Sequence, residues 1–189
     1  MRRARQIILI TTFLAFSWLA MQAVHESGHA LAAWLTGGII QKVVLHPLAF
    51  SRTDVNPNPH PLVEIWAGPL LGSLLPLLGW ALVVRWRVPY VFLWRFFAGF
   101  CLVANGVYLL CGSFAAETDP GDLMRLGVPQ SVLISVGLVG TTCGFWLWHR
   151  QGRYFGLGAS GEEVKTGTVV VSVLLLAAIV IGELICGNR

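Results

Sequence analysis

The sequence predicts an all-α integral membrane protein in one domain, 1–189. About five transmembrane helices are expected, with a short β strand or hairpin after the first. Three observations predict it. Hydrophobic residues are 56% of the 189 and charged residues only 12%, against roughly 45–50% and about 25% in soluble domains. The mean hydropathy is +0.71, more than the core of so short a chain can hide. Five apolar stretches each approach or exceed the ~20 residues that cross a bilayer. The same composition excludes a disordered chain, a collagen and a coiled coil. The formal charge of +4 comes from basic residues beside apolar runs, which read as topology signals and not as a nucleic-acid surface.

The first stretch runs from about Gln6 to Leu35 and stops at Gly37-Gly38. Its start, Met1-Arg2-Arg3-Ala4-Arg5, has the basic flank of a signal peptide. No small-x-small cleavage site follows Ala20, and the apolar pattern continues to Trp34, so an uncleaved span is expected. Next comes the β-branched run Ile39-Ile40-Gln41-Lys42-Val43-Val44, then the breakers Asn56-Pro57-Asn58-Pro59-His60-Pro61. They predict a short strand or hairpin and a polar surface loop. The second to fifth stretches are about Leu62–Val84, Val91–Ala115, Ser131–Trp148 and Thr168–Ile185. Arg85 to Pro89 forms a basic turn, Glu117 to Pro129 an acidic connection, and His149 to Lys165 a Gly-rich loop. Cys101, Cys111, Cys143 and Cys186 lie in or beside apolar runs without a C-x-x-C pair and read as small apolar residues. The eight Trp lie largely toward span ends, as interfacial anchors do.

The sharpest chemical signal is His25-Glu26-Ser27-Gly28-His29, a complete H-E-x-x-H inside the first span. Four residues apart on a helix, both imidazoles share one face and can meet one metal ion. Zinc favours His nitrogen in tetrahedral geometry, about one ion per chain here, and a catalytic site leaves a position for water. Glu26 is then placed to accept that water's proton. Three ionisable side chains within five residues of a span are costly unless paired or functional. A further donor must come from His46, His60, His149, Asp54, Glu64, Glu117, Asp119, Asp122 or Glu183. Helix-dipole compensation alone accounts for Glu64, and snorkelling alone for Glu183. Gly68 and Gly72 stand at small-xxx-small spacing, which packing explains. Asn105, polar in an apolar run, either bonds between helices or contacts substrate or its oxyanion.

These residues resemble the site-2 protease family of intramembrane zinc metalloproteases. His25-Glu26-Ser27-Gly28-His29-Ala30 followed by Gly37-Gly38 is similar to the family's first motif, and Ala67-Gly68-Pro69-Leu70-Leu71-Gly72 to its small-residue motif. The family's third element, an Asp in an Asn-x-x-Pro-x-x-x-Asp-Gly setting, is altered: Asn105 and Asp122 occur at longer spacing, without Asp-Gly. Asp122-Leu123-Met124-Arg125-Leu126-Gly127-Val128-Pro129 resembles compact, divergent members that lack a PDZ domain.

The resemblance implies a zinc-dependent endopeptidase acting on membrane-spanning or membrane-adjacent protein helices in the lipid bilayer. His25, His29 and an Asp would hold zinc, and Glu26 would be the base. Ile39–Val44 offers an edge to an unwound substrate. The alternative is a non-proteolytic zinc-binding membrane scaffold for client helices. For the third ligand, Asp122 is expected over Asp119. Asp119 precedes Pro120 and can cap a helix starting there, which leaves Asp122 at the third helical position. A multi-pass location in a bacterial inner or cell membrane is expected. On one side lie Arg2, Arg3, Arg5, Arg85, Arg87, Arg95, Arg150, Arg153 and Lys165, against Lys42, Arg52, Arg125 and Arg189 on the other. Nine against four predicts a cytoplasmic N-terminus.

Overall fold

The computed structural model describes residues 2–159 and 161–186. Arg189 of the charge count and the side chain of Cys186 lie outside the described residues. Helix α1 (Arg2–Thr36) carries the first apolar stretch. It stops where Gly37 turns left-handed at φ +83° and Gly38 N–H donates to Ala33 O at 2.8 Å, a glycine terminus that closes the last helical carbonyls. The β-branched run follows as β1 (Ile40–Val44), paired antiparallel with β2 (Arg52–Val55), with Val43 opposite Thr53. The expected strand is therefore a hairpin.

Pro61 opens α2 (Pro61–Arg85), where its missing N–H costs nothing. Helix α3 spans Val91–Gly112 and α5 Gln130–Trp148. The short α4 (Asp119–Arg125) lies between them in the acidic connection. A 3-10 turn, Gln151–Phe155, interrupts the Gly-rich loop before α6 (Thr166–Cys186). Five of the helices are long and apolar enough to cross a membrane, so the chain is a multi-pass membrane protein. α3 stops short of the expected Ala115. Thr118 Oγ1 donates to Gly112 O and Ala115 O, both at 3.0 Å, folding the chain back into α4.

Helix α1 packs between α2 and α6, α2 also contacts α3, and α3 lies along α5. Backbone proximity explains these pairings. A Cβ on Gly28 would lie 2.5 Å from Ala67 O, and one on Gly137 would lie 2.6 Å from Gly106 O. Small residues permit such approach where apolar burial gives no drive between helices. Near the N-terminal end of α1, Phe13 and Phe155 are buried beside Phe96. The buried Cys101 belongs to this core as expected, whereas Cys111 and Cys143 are free and exposed. Toward the other end, α1 and α3 leave a cleft, roofed by the hairpin and α4.

The Gly28–Ala67 contact has a measurable consequence. Gly28→Val should force α1 from α2 and cost about 1–3 kcal/mol, the usual overpacking penalty. Thermal unfolding in detergent checks it: the midpoint should fall, and an unchanged midpoint would contradict the close approach.

Candidate metal centre

His25 and His29 stand one turn apart on α1, both buried, with Nε2 atoms 3.1 Å apart. Asp119, at the start of α4, brings Oδ2 to 3.1 Å from His25 Nε2 and 3.2 Å from His29 Nε2. These three donors form a nearly equilateral triangle. Zn–N and Zn–O bonds of about 2.0–2.1 Å at tetrahedral angles require donor separations of roughly 3.3 Å. The triangle is therefore the right size for a small tetrahedral cation, and its His, His and carboxylate donors suit zinc.

The other face of each ring supports the same conclusion. His25 Nδ1 donates to Asn105 Oδ1 at 2.7 Å. His29 Nδ1 donates to Glu64 O at 3.0 Å and lies 2.9 Å from Glu64 Oε1. Holding the proton on Nδ1 leaves Nε2 as a lone pair, the arrangement typical of ligating histidines. Two lone pairs and a carboxylate then converge, which is unfavourable without a cation or a shared proton. Burial by itself pushes the Asp119 carboxyl up, but where a proton is shared on the Nε2 side the contacts with His25 and His29 outweigh that and hold it well below the usual carboxylate range.

The sequence motifs make room for this cluster. A Cβ on Gly68 would run into the His29 imidazole, and one on Gly72 would lie 3.0 Å from Asn105 Nδ2. The small-residue stripe thus accommodates the outer partners of the site as well as helix packing. Asn105 is 2% exposed, and Nδ2 donates to Cys101 O at 2.9 Å. With Oδ1 on His25, it orients that ring from a position on the wall of the cleft.

Asp122 stands apart from the histidines, contrary to the expectation that it completes the site. Its carboxylate pairs with Arg125 and its side chain is half exposed. The reason is the cap. Thr118, extended at φ −142° and ψ 160°, is the N-cap, and its Oγ1 accepts from Gly121 N–H at 3.2 Å. Asp119 therefore lies inside the first turn with its carboxylate free to reach the histidines, while Asp122, nearly a turn further along, is held by Arg125. Thr118 was the signal available in the sequence, since Thr also caps helices. Tyr108 was not singled out either. Its hydroxyl accepts from Asp119 N–H at 3.1 Å, and its ring stands edge-on to His25.

A cavity of about 1280 Å³ opens over the cluster, with Trp18, Met21, Phe100 and Val107 among its apolar lining. Glu26, 4% exposed, also borders it. So does β2, whereas β1 does not. The strand that faces the cleft is thus the second of the hairpin, not Ile39–Val44.

A family model described as Peptidase M50B-like matches residues 4–111, more than half of the chain. No curated protein and no solved structure matches it.

Substitution separates the two aspartates. Asp119→Asn should lose bound metal, whereas Asp122→Asn should retain it at matched folded yield. Elemental analysis of purified protein checks this, and metal loss from Asp122→Asn alone would reverse the assignment.

Proposed function

The chain belongs to the Peptidase M50B-like family, the site-2 protease group, and on that premise we propose a zinc-dependent endopeptidase acting on membrane-spanning or membrane-adjacent protein segments. The observation that carries the reading is the triangle of His25, His29 and Asp119 beside Glu26. His25, His29 and Asp119 would hold the ion. When bound, zinc supplies Lewis acidity that polarises a carbonyl and acidifies water.

The remaining chemistry falls to the chain itself. Glu26, next to the first ligand on the same helix, accepts the proton of the attacking water and returns it to the departing amide nitrogen. Asn105 and Glu64 keep the two imidazoles turned with Nε2 toward the ion throughout. Tyr108 and the Thr118 cap keep Asp119 in place from the other side. The apolar walls of the cleft suit an apolar segment and limit competing water. A helical substrate conceals its carbonyls in backbone bonds, so it must be extended before attack. β2 supports strand pairing with such a segment, because it is the strand that borders the cleft. The basic residues favour a cytoplasmic N-terminus, with the cluster toward the opposite face.

Glu26→Gln tests the reading. Removing a general base should lower cleavage of a single-span reporter protein by about 10²–10⁴-fold, with metal content unchanged. Cleavage at the wild-type rate would refute the proposed chemistry.

A further inference from the structure

Glu26 has one side-chain donor among the described residues, and it comes from outside the helix bundle. Thr53 Oγ1 donates to Glu26 Oε2 at 2.8 Å and lies 3.4 Å from Glu26 O. Strand alternation explains why this hydroxyl reaches α1. Residues two apart on a strand share a face, and Val55, two beyond Thr53, lies against the end of α1. A Cβ on Gly38 would be 3.0 Å from Val55 Cγ1. On either side of Thr53 along the strand, Arg52 and Asp54 pair with each other at 3.3 Å. The hairpin is also tied at its base, where Ile39 N–H donates to Pro57 O at 3.1 Å and Asn56 N–H to Ile39 O at 2.9 Å. Thr53 therefore reaches the carboxylate from a strand seated directly on the helix that carries it.

We propose that Thr53 is a positioning residue for Glu26: its hydroxyl holds one carboxylate oxygen, leaving the other to face the reacting water, and does so only while the hairpin is seated on α1. The inference rests on the reading of Glu26 as the base. A glutamate has three side-chain torsions to fix, and a base displaced by about 1 Å loses on the order of a hundredfold in rate. One donor on Oε2 restrains that freedom without occupying Oε1. The hairpin thereby has a task separate from pairing with substrate: it sets the base.

The test is a double-mutant cycle on the full-length protein in detergent, with a fluorescent single-span reporter that the wild type cleaves. Thr53→Val keeps the shape and removes the hydroxyl. It should lower kcat by about ten- to hundredfold, with KM within about twofold and metal content unchanged. Thr53→Ser should restore kcat to within about threefold. In a Glu26→Gln background, Thr53→Val should have no further effect, since the group it positions is gone. If Thr53→Val lowers the folded yield, Thr53→Ala serves in the same cycle. An unchanged kcat, a change confined to KM, failure of Thr53→Ser to rescue, or an undiminished effect in the Glu26→Gln background would each overturn the proposal. Glu26→Gln cleaving like wild type would instead refute the proposed function, which keeps the two failures distinct.

Discussion

Two imidazoles and a carboxylate buried among apolar helices must each find a partner for every polar atom, and the rest of the structure follows from that requirement. An unpaired polar group in such surroundings is costly, and an unpaired charge far more so. Here Asn105 on α3 takes one ring and Glu64 on α2 takes the other. Asp119 closes the remaining side from α4. Three helices are thereby committed to two residues of a fourth. The backbones must approach closely for these short side chains to reach, which is why glycines stand at Gly28 and Gly68. Helix packing and site geometry are one constraint.

The helices were legible in the sequence because each apolar run is long enough to leave one interpretation. Gly37-Gly38 marked the end of α1 to within a residue, and the β-branched run after it marked a strand. The candidate metal-ligating pair was equally plain, since four-residue spacing on a helix fixes both rings to one face. What failed was the decision between two aspartates three residues apart. It turned on whether Asp119 or Thr118 capped α4, since a capping Asp119 would have its carboxylate tied to the helix N-terminus, and with Thr118 in that role it is free. Local preference could not decide it, because both residue types cap well. The tie was broken by tertiary contact: Thr118 also reaches Gly112 O, and Tyr108 meets Asp119 N–H.

Asn105 and Glu64 show a different limit. Both were visible as unusual polar residues, and each had an adequate local explanation, interhelical bonding for one and the helix dipole for the other. Their shared task depends on α2 and α3 flanking α1 on the sides where the two Nδ1 atoms point. No pattern within a single element carries that information. The hairpin illustrates the same point: its existence could be read from composition, but not which strand faces the cleft.

The length of α1 acts as a depth gauge. From Arg5 to His25 is twenty residues, or about 30 Å of helix at 1.5 Å per residue, equal to the hydrocarbon thickness of a typical bilayer. In the proposed orientation, with the basic end of α1 held among headgroups and the helix upright, the cluster would come to rest at the opposite boundary, clear of the midplane. For the proposed hydrolysis, water at that depth would arrive from the adjoining bulk phase, with no aqueous channel through the bilayer. A bound segment would be met near the end of its own span, where the last carbonyls of a helix lack intrahelical partners and unwinding asks least. On the proposed reading, the height at which a bond would be broken is written into the number of residues between the first arginines and the first histidine.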